Sequence, residues 1–346
     1  MVLRTRALEG VVNRDFWRGR RVFVTGHSGF KGSWLAAWLT RLGAKTTGYA
    51  LAQEAEPSGA TSIVGDVRDA DSLREALAAS QAEIVFHLAA QSLVRDSYAN
   101  PVETYSTNVM GTVHLLECIR EAKHVRAVVV VTSDKCYDNR EWPWPYREND
   151  PLGGGDPYSS SKACQELVAS AYRQSFPGAA IATARAGNVI GGGDRARDRL
   201  VPDLMRAFAR GEAAVIRNPA ATRPWQHVLE PLHGYLMLAE ELCGGDGFAD
   251  AWNFGPSDRD VRPVGWIADA LAERWGEGAR WQQDEGAHPH EAMTLKLDSS
   301  RARTLMHWLP RLSLPEALDW IVEWHRHDDA RAITLAQIER YEALLA

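Results

Sequence analysis

The 346-residue chain has no block of basic residues, no apolar run near the length of a membrane span and no cysteines at Cys-x-x-Cys spacing. Each absence removes a class of protein. With 39 Lys and Arg against 45 Asp and Glu, the net charge is -6, so nucleic acid is not expected as the main partner. A span needs about 20 consecutive apolar residues, so no membrane partner is expected either. Cys118, Cys136, Cys164 and Cys243 offer neither a zinc nor a disulfide framework. His288-Pro-His290 and His325-Arg-His327 lack the partners that metal motifs carry at fixed spacing, and no metal is expected. Met1 to Arg20 holds arginines but no apolar signal core. It reads as a short surface extension, and the cytoplasm is the expected location.

What the sequence does hold is an alternation of β-rich runs and helical patterns. Arg21 to Thr25 is a short strand that leads into Gly26-His-Ser-Gly29-Phe-Lys-Gly32, and Ser33 to Leu42 continues with helical apolar spacing. Strand, glycine loop and helix together make a phosphate cradle, because small residues let the backbone approach a pyrophosphate and the helix N-terminus attracts its charge. Further strands are expected at Lys45–Tyr49, from Thr61 to the acidic turn Asp66–Asp69, at Glu83–Leu88, at Ala127–Val131 and at Ala179–Arg185. Asp71 is read as the cap of a helix Ser72–Ala79, and Pro101–Lys123 as one long helix with Asn108 among apolar neighbours. After the second strand the chain runs Tyr49-Ala-Leu-Ala-Gln53-Glu54. The carboxylate that would hold an adenosine ribose is absent or displaced there, which leaves NAD and NADP both open.

Two clusters carry chemistry. Thr132-Ser133-Asp134-Lys135-Cys136-Tyr137 follows the apolar fifth strand and puts a hydroxyl, a carboxyl and an amine at its carboxyl end, where open α/β sheets place their sites. Tyr158 and Lys162 set a phenol and an amine four residues apart, on one face of a helix Tyr158–Gln174. Beyond the sixth strand, stretches with Arg195, Arg197, Arg199 and Leu200, and with Arg223, Trp225 and His227, suit a nucleoside diphosphate, since Arg makes planar bidentate contacts to its oxygens. The expected fold is α/β, a Rossmann-type doubly wound parallel sheet (21–186) with a smaller, discontinuous substrate domain (mainly 187–346).

The glycine loop, Tyr158-x-x-x-Lys162, Arg185-x-Gly-Asn188 and Arg223-Pro-Trp-Gln-His227 together resemble the nucleotide-sugar branch of the extended short-chain dehydrogenase/reductase family, from Asp15 to about Trp324. Gly26 to Trp34, Thr132 to Asp138 and Gly187 to Asp194 resemble those members of the branch that dehydrate a CDP-sugar. Other sugar-nucleotide dehydratases carry Asp-Glu in place of Asp134-Lys135. The resemblance implies NAD as cofactor, with Gly26, Gly29, Phe30, Lys31, Gly32, Asp66, Val67, Leu88, Ala89, Ala90, Asn108, Tyr158 and Lys162 around it. It implies a CDP-sugar substrate on Asn188, Arg199, Leu200, Arg223, Trp225 and His227, and a homodimer or homotetramer formed through the Tyr158 helix. The reaction it implies is an internal redox elimination. Tyr158, Lys162 and Ser133 would serve oxidation at C4, Asp134 the loss of the C6 hydroxyl, and Lys135 either removal of the C5 proton or electrostatic stabilisation. A 4-epimerase or another nucleotide-sugar dehydratase is the alternative, with a non-catalytic cofactor sensor more remote. An epimerase has no need of the Asp-Lys pair.

Overall fold

The computed structural model describes residues 11–51, 59–286 and 292–345. Gln53 and Glu54, at the ribose position, lie outside the described residues, as do His288 and His290. Twelve strands are described: β1 (Arg21–Thr25), β2 (Lys45–Ala50), β3 (Thr61–Val64), β4 (Ile84–His87), β5 (Ala127–Val131), β6 (Ala180–Ala186), β7 (Asn188–Ile190), β8 (Ala213–Ile216), β9 (Thr222–His227), β10 (Ala251–Phe254), β11 (Val261–Pro263) and β12 (Arg280–Gln283). The helices begin with α1 (Arg14–Trp17), α2 (Phe30–Arg41), α3 (Ala70–Ser80), α4 (Val94–Ala99), α5 (Pro101–Tyr105), α6 (Gly111–Glu121) and α7 (Pro157–Ser175). They continue with α8 (Leu200–Ala209), α9 (Leu229–Gly244), α10 (Val264–Trp275), α11 (Ser300–Leu305), α12 (Leu314–Arg326) and α13 (Ala330–Leu345).

Seven strands form one parallel sheet in the order β10-β6-β5-β4-β1-β2-β3. β5 reads Ala-Val-Val-Val-Val and is buried at every position, as a strand covered on both faces requires. One face packs under α2, α9 and α13, the other under α3, α6 and α7. Because β1 pairs with β2 on one side and β4 on the other, the strand order reverses there, and a crevice opens beyond their carboxyl ends. A separate apolar cluster joins α8, α10 and α12 with β8 and β9. The chain then returns to the large sheet, where β10 pairs with β6.

Three expectations are corrected. Residues 11–20 are not a surface extension: Trp17 is fully buried, its indole N–H donates to Glu240 Oε1 at 2.7 Å, and its ring lies against Phe86. The cap of α3 is Asp69, whose carboxylate accepts from the backbone of Asp71 and Ser72, so the helix starts two residues earlier than read. The 101–123 pattern is broken by a π turn at Ser106–Met110, which contains Asn108.

Glu230 on α9 ties this core to the C-terminal helices. Its buried carboxylate accepts from the Leu312 amide at 2.7 Å, the Arg311 amide at 3.0 Å and the Tyr341 hydroxyl at 2.8 Å. Burial nevertheless outweighs these bonds and raises its pKa from 4.5 to about 7. A raised folded-state value means stability that is full below the unfolded pKa and declines as pH rises toward the folded one. Glu230→Gln is therefore expected to remove a fall in melting temperature between pH 4.5 and about 7 that the parent shows. Parallel melting curves for the two proteins across that window would refute this.

Candidate active site

The cradle is built from backbone. Gly26 has φ +72°, and a Cβ there would sit 2.7 Å from the Ala89 amide nitrogen. At Gly32 a Cβ would meet the Gly26 carbonyl oxygen at 2.0 Å. Gly29 caps α2 without any side-chain bond, so the first amides of the helix stay available to an anion. His27 does not project into this loop. It turns under β2, where its Nε2 lies 2.8 Å from Ser62 Oγ and its ring fills the space that a side chain at Gly48 would need.

The floor of the crevice is cross-tied. Asn108 Oδ1 accepts from the Gln91 amide at 2.8 Å, and its Nδ2 donates to the Gln91 carbonyl at 3.0 Å and to Ser161 Oγ at 2.8 Å. The π turn thus joins the loop after β4 to the first turns of α7. Asp66 is engaged by the Arg68 guanidinium at 2.6 Å, which holds its carboxyl below the usual range. Val67 packs beneath Gly111.

The chemical groups face a cavity of about 500 Å³. Phe30, Lys31, Leu88 and Ala90 line one side, Ser133, Asp134, Lys135, Tyr158 and Lys162 the floor, and Asn188, Arg199, Leu200, Arg223 and Trp225 the far side. Gly26, Gly29, Gly32, Asp66, Val67, Ala89 and Asn108 lie outside this lining, Gly29 facing the neighbouring cavity instead. His227 faces neither this cavity nor the glycine loop and is corrected as a substrate contact. It is fully buried edge-on between Trp34 and Trp320, with ring centroids 5.7 and 5.5 Å away. Burial holds it neutral, with its pKa lowered to about 3. A larger cavity of about 780 Å³ shares Phe30, Ala90, Ser92, Asp194 and Arg199 and continues along α2 toward α13.

Within the catalytic cluster, Ser133 Oγ donates to Asp134 Oδ1 at 3.0 Å and accepts from the Lys135 amide at 3.2 Å. Asp134 is buried, its Oδ2 has no protein partner, and burial raises its pKa. Burial also pushes Tyr158 up to about 12, against the pull of the Ser133 hydroxyl and the Arg199 guanidinium. Lys162 donates to the Val131 carbonyl at 3.3 Å and is pushed down to about 7 by burial and by Lys31. Lys31 is lowered to about 8, again by burial first and then by Arg199. Arg199 is anchored by Asp194 at 3.1 Å and Ser92 Oγ at 2.8 Å.

Sequence reasoning gave no role to Asp194, which fixes Arg199, nor to Glu166, which pairs with Arg185 behind the cluster. Glu166 stands four residues after Lys162, one helical turn along the same face, and that spacing was a usable signal.

A sequence model of the NAD dependent epimerase/dehydratase family matches residues 22–253, and the chain belongs to that family. It is 54% identical over 334 residues to the CDP-glucose 4,6-dehydratase of Salmonella typhimurium, covering 91% of this chain and 93% of that protein. Among solved structures, UDP-glucose 4-epimerase of Thermotoga maritima with UDP-glucose superposes with TM-score 0.78 at 22% identity, over 88% of this chain and 98% of that one. The dTDP-glucose 4,6-dehydratase of Bacillus anthracis in complex with NAD gives 0.76 at 18%, over 90% and 98%. These two similarities establish the fold alone.

NAD is the cofactor, and the cradle fits it: the first amides of α2 behind Gly29 carry no side-chain cap, and Gly26 and Gly32, where a Cβ would meet backbone, let the loop close tightly enough to present them to a pyrophosphate. Gly32→Ala is expected to weaken NAD binding at least about tenfold and to destabilise the protein by about 1–3 kcal/mol, the usual scale of overpacking against backbone. Fluorescence titration with NAD and a denaturant melt measure the two effects, and an unaltered titration curve would refute the cradle.

Proposed function

We propose that this chain catalyses the NAD-dependent dehydration of CDP-D-glucose to CDP-4-dehydro-6-deoxy-D-glucose. The observation that carries the reading is the Asp134-Lys135 pair, set on the same cavity floor as Tyr158 and Ser133 beside the cofactor cradle. Sugar oxidation alone needs only the phenol and the hydroxyl. An acid and an amine next to them serve an elimination.

NAD, held on the glycine loop of Gly26, Gly29 and Gly32 and beside Tyr158 and Lys162, would supply reversible hydride chemistry between C4 and C6 of the glucosyl ring. Tyr158 takes the proton of the C4 hydroxyl while Ser133 holds that oxygen. Burial, which pushes its pKa up to about 12, favours the neutral phenol of Tyr158. Its activation depends on positive charge nearby, and Lys162, one helical turn away, and Arg199 provide it. Oxidation at C4 acidifies the C5 proton, which Lys135 removes. Asp134, its pKa raised by burial, donates a proton to the departing C6 hydroxyl, so that water leaves across C5 and C6, and Lys135 returns its proton to C5 as hydride is restored at C6. Arg199 and Arg223 hold the diphosphate, with Asn188, Leu200 and Trp225 shaping the same wall.

Among the described residues no helix is long and apolar enough to cross a membrane, and a cytoplasmic location fits an enzyme that draws on a nucleotide sugar and NAD. Val102, Met110 and Leu167 expose apolar side chains on adjacent α5, π-turn and α7 surfaces. That surface suits a homodimer, and a monomeric mass by light scattering would remove the idea.

Incubation with CDP-glucose and NAD is expected to give a product lighter by one water. An epimerase would leave the mass unchanged, and that result would overturn the reading. Tyr158→Phe is expected to slow the first oxidation at least about a hundredfold. Lys135→Met is expected to permit C4 oxidation yet stop exchange of the C5 hydrogen with solvent, and persistent exchange would place the base elsewhere.

A further inference from the structure

One buried ion pair reaches both ends of the catalytic stretch without lining the cavity itself. Glu166 sits on α7 and Arg185 near the end of β6, with their charged groups 2.7 Å apart. Glu166 Oε1 accepts from Thr132 Oγ1, and Oε2 accepts from Thr183 Oγ1 at 2.6 Å as well as from Arg185. The other arm of Arg185 donates to the Tyr137 phenol oxygen at 2.8 Å and to the Glu148 carbonyl at 3.0 Å. Its guanidinium lies 4.9 Å over the Tyr137 ring, and the phenol hydroxyl donates to Asn253 Oδ1 at 2.7 Å. Thr132, Tyr137, Glu166, Thr183, Arg185 and Asn253 are all buried.

Thr132 and Tyr137 are the residues that bracket Ser133-Asp134-Lys135-Cys136. That bracketed segment has little structure of its own: a single 3-10 turn at Asp134–Cys136, with a Cys136 amide to Ser133 carbonyl bond of 3.3 Å. Such turns are weakly held. A buried ion pair adds little net stability over an apolar replacement, because desolvation offsets the attraction, and its best use is to fix a geometry. Tyr158 is held by other means: its amide donates to Ser97 Oγ at 3.2 Å, and its carbonyl accepts from Ser161 at 2.7 Å. Ser133 follows directly on β5, where the Thr132 amide still donates to the Ala184 carbonyl of β6 at 3.0 Å, so the groups that serve oxidation are held by the sheet and α7, whereas Asp134 and Lys135 lie toward the Tyr137 end.

We propose that Arg185, oriented by Glu166, is a positioning residue that acts through Tyr137 to place Asp134 and Lys135 for the elimination, and that oxidation by Tyr158 does not depend on it. The inference rests on the dehydratase reading above. Removing Glu166 or Arg185 outright would strand a buried charge and endanger the fold, so the test uses Tyr137→Phe, which keeps the ring and the ion pair, and Arg185→Lys, which keeps the charge but loses the fork.

Each variant is mixed with NAD and CDP-glucose, and three readouts follow: the rise of reduced-nicotinamide absorbance, the exchange of the C5 hydrogen with deuterium from solvent, and the appearance of dehydrated product. Elimination and C5 exchange are expected to slow about tenfold to a hundredfold, the usual effect of a small misplacement of a reacting group. The rise of reduced cofactor should stay within about twofold of the parent, so that it accumulates. The double variant should lose no more than the worse single one, since both act on one contact. Equal slowing of both half-reactions, or unchanged elimination, in whichever variant folds overturns the clamp. If the parent itself gives neither reduced cofactor nor dehydrated product, the dehydratase reading falls and the clamp falls with it.

Discussion

Beyond the carboxyl ends of β1, β4 and β5 the chain buries the amines of Lys31 and Lys162, the Tyr158 phenol and the Asp134 carboxyl along one cavity. Burial there pushes each group toward its neutral form. Tyr158 and Asp134 move up, while Lys31 and Lys162 move down. Bringing Lys162 from 10.5 to about 7 corresponds to roughly 5 kcal/mol against its charged form, at about 1.4 kcal/mol per tenfold change in proton affinity. The remaining architecture serves this arrangement. The strand-order reversal opens the crevice, the glycines bring backbone close to it, and α7 delivers phenol and amine from one face. Charge enters with the ligands, and a diphosphate would favour the protonated amines that burial resists.

The centre of the large sheet was legible because β1, β4 and β5 are dense in β-branched and aromatic residues and almost wholly buried, a pattern that needs no tertiary information. The glycine loop was legible for the same local reason. What escaped depended on distant partners. Trp17 looks like part of a surface tail until Glu240, more than two hundred residues away, supplies an acceptor for its indole. His227 shares the alternating face of β9 with Arg223 and Trp225, yet as the last residue of the strand it is enclosed between two tryptophans, Trp34 and Trp320, that only the folded chain brings there. The Asp69 cap was misread by two residues because Asp71 is an equally good capping type and only the backbone geometry separates them. Glu166 is a charge on a helix face that resembles any solvated one until Arg185 and two threonines close over it.

The second half of the chain was read more coarsely, for a physical reason. Its elements do not follow a repeating strand and helix rhythm. α8, α10 and α12 close one apolar cluster, while α9, α13 and β10 between and after them return to the large sheet. Short strands such as β7 and β11 carry only three residues each, too few for a period to register. The residues facing the cavity from this half, Asn188, Arg199 and Arg223, were legible by chemical type and spacing, whereas the anchors of Arg199, Ser92 and Asp194, were not.

The π turn within residues 101–121 has a further meaning. One widened turn adds a residue to the helical path, and a residue in an α-helix is worth about 100° of rotation. The segments on either side of Asn108 are thus out of phase with one another. α5 settles against α4 and α7, while α6 swings its apolar stripe onto α3 as well as α7. A chain shortened by one residue at this point would run as an unbroken helix, and its two halves would have to compete for a single set of neighbours. Asn108 would then rotate away from Gln91 and Ser161. The irregularity therefore works as a phase shifter, letting one continuous helix answer to two different packing surfaces while it presents an amide to the floor between them.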